Sequence, residues 1–165
     1  MKRREILKSL TVLPLAGAAA IAPGKAAEAP TKKEWTPKKE AIPLPGSSTS
    51  SPLSSCIRSG NLLFISGIGG WYEAQRKEPG DIQVQIKSAL ERMRELLENA
   101  GSSMANVLKV HMTLADANKN IGPLNEVYGD FFPDPKPARS YSAAGADQMG
   151  RLGVLVQIDC IAYVD

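Results

Sequence analysis

The sequence predicts an α+β domain: one mixed, mostly antiparallel β-sheet with two helices packed on one face. Three observations carry this expectation. Between Leu53 and Asp165, segments of alternating and of helical hydrophobic period follow one another in the order β-β-α-β-α-β-β. The 165-residue chain suits one modest domain. Its hydrophobic content of 43% is enough to fill a core.

The elements follow in order. Cys56-Ile57-Arg58 and Leu62-Leu63-Phe64-Ile65-Ser66 flank Ser59-Gly60-Asn61 and read as a β-hairpin. Gly67-Ile68-Gly69-Gly70 leads into a polar loop ending at Pro79-Gly80. No Gly-Lys-Ser/Thr follows, so this is not a phosphate loop. Trp71 and Tyr72 in that loop suit ordinary packing or an interface better than pocket lining. Asp81 can cap a helix from about Ile82 to Ala100, and Gly101 supplies its stop. Ile82, Ile86, Ala89, Leu90, Met93, Leu96, Leu97 and Ala100 form its apolar stripe.

Val107 to Leu114 alternates and predicts a strand. Leu108, Val110, Met112 and Leu114 are expected on one face, with His111 opposite as a surface or interface residue. Asp116 or Asn118 opens a second helix with apolar residues from Ile121 to Phe132, and Pro133 to Pro137 ends it. Arg139 to Ala143 is a short extended segment. Val154 to Val164 is the clearest strand. Its second face carries Leu155, Ile161 and Tyr163, which suits contact with another subunit.

Residues 1–22 have the order of an export leader. Lys2, Arg3, Arg4 and Lys8 precede an apolar run from Leu10 to Ala22 that is too short to span a bilayer. Paired Arg3-Arg4 followed by Ile6, Leu7 and Lys8 resembles a twin-arginine signal. Cleavage after Ala22, with delivery to the periplasm and no stable membrane anchor, is the expectation. An uncleaved tethering helix is the alternative. Residues 23–52 hold six prolines and a Ser-rich run, and are expected to form a disordered linker.

The charge balance bears on partners. The chain carries 20 Lys+Arg and 17 Asp+Glu, and the excess of three lies within residues 1–22. From Leu53 onward there are eleven basic and thirteen acidic residues, which argues against a polyanion-binding face. One histidine excludes most histidine-based metal sites, and two cysteines exclude a disulfide scaffold. Cys56 and Cys160 are expected as buried free thiols.

Four blocks carry a resemblance. Pro137-Ala138-Arg139-Ser140 is followed by Val156-Gln157-Ile158-Asp159-Cys160-Ile161-Ala162. Upstream stand Gly60 to Gly67, Gly80 to Gln85, and Asn125-Glu126-Val127-Tyr128-Gly129-Asp130-Phe131-Phe132. In this order they resemble the RidA (YjgF-type) reactive-intermediate deaminase family over nearly all of residues 53–165. The resemblance implies a chorismate-mutase-like fold and a homotrimer with a cleft between each pair of subunits. It also implies hydrolysis of imines and enamines of amino acids to 2-oxo acids and ammonia, without metal or organic cofactor.

Arg139 occupies the family's arginine position. A guanidinium suits a carboxylate because it is planar, always charged and donates two parallel hydrogen bonds. On its residues alone Arg139 reads as a structural ion pair, with Asp159 as the candidate partner; the resemblance favours carboxylate binding instead. Ser66, Gly67 and Asn125 fall at other family pocket positions. Ser66 is expected to position rather than attack, since no Gly-x-Ser-x-Gly elbow surrounds it.

Three departures stand out against the family. Gln157 replaces a glutamate, and an amide can orient water but cannot exchange a proton. Leu53 aligns with a usual tyrosine, which removes an aromatic wall. Gly145 to Gly150 lengthens the turn before the last strand. Asp147, Asp159 or the Tyr141 hydroxyl are candidate substitutes for the missing group. The sequence thus points to an exported imine/enamine deaminase, weakened or altered in specificity. The alternative is a non-catalytic trimer that binds small carboxylates or a protein partner. A ribonuclease ranks last, for want of a histidine pair or a basic aromatic platform.

Overall fold

The computed structural model describes residues 38–43 and 51–165. The leader-like segment and most of the linker lie outside them. Six strands form one sheet: β1 (Glu40–Ala41), β2 (Cys56–Ser59), β3 (Leu62–Gly69), β4 (Val107–Ala115), β5 (Ala138–Ala144) and β6 (Val156–Tyr163). Two helices, α1 (Ile82–Asn99) and α2 (Ala117–Tyr128), complete the fold. The strand order is β1-β2-β3-β6-β4-β5. All pairings are antiparallel except β4 with β5, which α2 joins by a crossover. This is the α+β architecture expected, with a mixed sheet.

One face of the sheet is packed and the other is open. Leu63, Ile65, Val110, Met112, Ile158 and Cys160 are buried with the apolar stripe of α1 and with Leu124, Val127 and Tyr128 of α2. The caps of α1 are as the sequence predicts: Asp81 Oδ1 accepts from Val84 N–H at 2.9 Å. Gly101, at φ 79°, ends the helix, and Ser102 N–H donates back to Leu97 O at 2.8 Å. Asp116 precedes α2 in a left-handed conformation (φ 44°) without a side-chain cap bond.

Two local features differ from expectation. Leu108 is 48% exposed rather than on the core face. The β4–β6 register shifts between Val107 and Lys109, and that extra residue inverts the alternation. Within the expected linker, Glu40 and Ala41 pair with Arg58 and Ile57 at the edge of β2. Extended chain gains ladder bonds wherever a sheet edge offers unpaired groups, and Ile42 N–H donates to Cys56 O at 3.0 Å.

Gln85 is a fully buried polar side chain on α1. Its Nε2 donates to Gly153 O at 2.7 Å, and its Oε1 accepts from Leu155 N–H at 2.8 Å. The amide therefore fixes the lengthened turn before β6 to the helix layer. Gln85→Leu leaves both backbone groups unpaired, at a cost of about 2–4 kcal/mol, read as a lowered urea midpoint.

Cys56 and Cys160 are free and buried. Ile65 pairs with both, so the cysteines lie two strands apart, roughly 10 Å, beyond disulfide reach. A thiol reagent should titrate neither in the native protein and both under denaturant. Burial pushes the Cys160 thiol up from 9.0 to about 12, with Asp159 and Cys56 adding to the shift. Below pH 9 folded and unfolded chains both hold that proton. Above it only the unfolded chain ionises, so stability should fall from pH 9 towards 12 in alkaline melts.

Candidate functional site

β3 leaves regular pairing where two candidate residues stand. Ile65 pairs with Cys160 and Ile68 with Ile158, so Ser66 and Gly67 together oppose the single residue Asp159. Such a bulge bends the strand and re-aims its side chains. Ser66 is half-buried, and its N–H donates to Ser55 O at 2.9 Å. A Cβ on Gly67 would overlap Nε2 of Gln157, so a larger residue there would displace that amide. Gln157 therefore lies across Gly67 on the open face of the sheet. It is exposed, and no hydrogen bond among the described residues engages its amide.

Tyr72 enters the same neighbourhood. Its Oη accepts from Gly69 N–H at 2.8 Å, and Gly69 is the register partner of Gln157. The Arg151 guanidinium stacks 4.7 Å from the centre of the Tyr72 ring. Leu53, Ser66, Gly67, Tyr72 and Arg92 border a groove of about 440 Å³. Leu53 is 62% exposed at that rim and presents an aliphatic side chain. Trp71 is packing: it is buried with Ala115, Met149 and Val154 in a small satellite core.

Arg139 stands elsewhere. Its pairing with Val110 places it on the helix-covered side of the edge strand β5. There its guanidinium lies 4.6 Å from the centre of the Tyr128 ring. The Tyr128 hydroxyl is buried without a hydrogen-bond partner. Burial pushes its pKa up to about 12, against the opposing pull of the Arg139 charge. The alternative of an Arg139–Asp159 ion pair is not what forms. Asp159 belongs to the other face, where it meets His111 Nδ1 at 3.4 Å. Among the described residues no ion pair or hydrogen bond occupies the Arg139 guanidinium, so its donors remain available. Tyr141, on the same side of β5, is 49% exposed. Asn125 is exposed on α2, one turn before Tyr128.

The candidates thus form two groups. Ser66, Gly67 and Gln157 share the open face, whereas Arg139, Tyr141 and Asn125 gather at the β5 edge beside α2. β3 and β5 are separated by two strands, a span of roughly 14 Å. One chain does not bring the six residues into a single site. Sequence reasoning favoured ordinary packing or an interface for Tyr72 over pocket lining. The signal for it was the spacing of Gly67 and Gly69, which clears one face of β3. Among the described residues, no group of three or more His, Cys, Asp or Glu could hold a metal ion.

Comparison with known proteins identifies the wider group. The family profile described as Endoribonuclease L-PSP matches residues 46–164. The chain is 37% identical over 115 residues to the mitochondrial protein mmf2 of Schizosaccharomyces pombe, covering 67% of this chain and 86% of the relative. It is 34% identical over 113 residues to Reactive Intermediate Deaminase A, chloroplastic, of Arabidopsis thaliana, covering 67% of this chain and 58% of that protein. Among solved structures, RidA of the Antarctic bacterium Psychrobacter superposes with a TM-score of 0.60 at 28% identity, covering 71% of this chain and 92% of that one. Yeast Mmf1 superposes at 0.65 and 24% identity over 78% of this chain and all of that one, a likeness of fold.

Proposed function

Because this chain belongs to the Endoribonuclease L-PSP (YjgF/RutC) family, we propose that it is an exported deaminase of 2-imino and enamine acids, acting in a cleft between copies of itself. The single observation that carries this reading is the Arg139 guanidinium, held on the Tyr128 ring with no acidic partner among the described residues. The name of the Arabidopsis relative, Reactive Intermediate Deaminase A, supports the reaction class.

The chemistry follows from the groups present. Arg139 binds the substrate carboxylate through two parallel hydrogen bonds and so orients the adjoining C=N bond. Water adds to the imine carbon, its proton passes to nitrogen, and the carbinolamine collapses to a 2-oxo acid and ammonia. The Gln157 amide orients the water without taking its proton. No cofactor enters the sequence of steps.

Assembly explains the two separated groups. Arg139, Tyr141 and Asn125 of one copy would face Ser66, Gly67 and Gln157 of the next. Leu62 and Phe64, 37% and 41% exposed, pair with half-buried Tyr163 and Ile161 on the open face, an apolar surface suited to self-association. Following the resemblance, the assembly is a homotrimer. Light scattering should give three chain masses, and the purified protein should accelerate ammonia release from an imine generated by an amino-acid oxidase. A monomer that leaves the imine's decay unchanged overturns the reading.

The leader-like order of Lys2 to Ala22 supports export, tested by fractionating cells into cytoplasm and periplasm. The non-catalytic reading, a trimer that binds small carboxylates or a protein partner, is favoured by one observation: an amide stands where a carboxylate would exchange protons. An RNA-binding role fits the eleven basic and thirteen acidic residues from Leu53 onward poorly. RNA should therefore show no mobility shift with this protein at low salt.

A further inference from the structure

Building on that deaminase reading, we propose that Tyr72 and Arg151 form a second anion-recognition element beside the cleft, so that the preferred substrates are imines bearing an acidic side chain. The argument begins with the sheet floor. Gly67 and Gly69 lack the side chains that would otherwise cover the open face of β3. Gln157 fills the space over Gly67, and a Cβ on Gly69 would come within 3.3 Å of the Tyr72 hydroxyl. The two glycines therefore seat an amide and a phenol ring side by side. Gly69 N–H satisfies an acceptor position of Tyr72 Oη, which leaves the phenol proton to donate to a ligand.

The Arg151 guanidinium rests on this ring at 4.7 Å. Among the described residues no carboxylate pairs with it. Its position is set by anchors on both sides. Met149 and Val154 are buried against Trp71, and Gln85 holds Gly153 and Leu155. Gly150 and Gly153, at φ 74° and 83°, make the turns that bring residue 151 outward between those anchors. The Arg151 cation thus stands on a ring, Tyr72, that borders the groove containing Ser66 and Gly67. A substrate whose first carboxylate is taken by Arg139 would meet Arg151 with a second one. A chain with one carboxylate and an apolar end would leave Arg151 without a partner.

The test uses stable product acids and the full chain. Titration calorimetry compares 2-oxoglutarate with 2-oxobutanoate on wild type, Arg151→Ala, Tyr72→Leu and Arg139→Ala. The expectation is that 2-oxoglutarate binds about fivefold more tightly than 2-oxobutanoate, the scale of one partly exposed ion pair. Arg151→Ala and Tyr72→Leu should bring 2-oxoglutarate to the level of 2-oxobutanoate. Equal affinities in wild type, or a preference that survives Arg151→Ala, overturns the inference. Loss of both acids in Arg139→Ala, with no preference in wild type, removes this inference alone. If wild type binds neither acid, the deaminase reading fails with it.

Discussion

Arg139→Ala is expected to reduce 2-oxo acid and ammonia release to the rate of a protein-free control. The size of the effect follows from what the side chain does. Two charge-assisted hydrogen bonds to a carboxylate contribute about 1.5–3 kcal/mol each. Their loss, about 3–6 kcal/mol, lowers kcat/KM by roughly two to four orders of magnitude. The fold should survive, because Arg139 is half-buried and its stacking on Tyr128 contributes only about 0.5–1 kcal/mol. Arg139→Lys separates charge from geometry. It keeps the cation and loses the planar fork, so its rate should fall between the two. Circular dichroism with light scattering checks that both variants fold and assemble. If the alanine variant matches wild type while wild type exceeds the control, Arg139 is not the anchor.

Gln157→Glu should raise the rate by about 100-fold, at the lower end of what a positioned general base contributes. The substitution exchanges an amide for a carboxylate of the same shape. Gln157 is exposed and spends no hydrogen bond on the described residues, so the exchange should not disturb the sheet. Gly67 keeps the space that either side chain needs. The variant's rate should also acquire a pH dependence beyond that of wild type, because the new carboxylate can exchange a proton. An unchanged rate would instead favour the binding role, in which the amide serves only to hold an acid in place.

Much of the fold was legible because its signals are local. The Asp81 cap, the apolar stripe of α1 and the Gly101 stop depend on neighbours within a turn or two. The bulge at Val107–Lys109 was not legible, since the alternation of β4 reads as continuous until its partner β6 is known. The parallel placement of β5 at the sheet edge is likewise set by pairing with residues far away in sequence. The candidate site divides in the same way. The resemblance supplied its residues, but residue order could not show that Arg139 and Gln157 occupy opposite faces. Tyr72 reads as a packing or interface residue in the sequence because its hydroxyl reaches Gly69 only through the shape of the intervening turn.

The two-residue strand Glu40–Ala41 changes how the stretch before the domain should be regarded. It shields the free border of β2, and Asn99 Nδ2 fastens Pro43 O to the end of α1 at 3.2 Å. A protease cut or a shortened expression clone that removes these residues would strip that border. The remaining chains would then stack border to border into insoluble material, even though the only core-packing side chain lost among the described residues is Ile42.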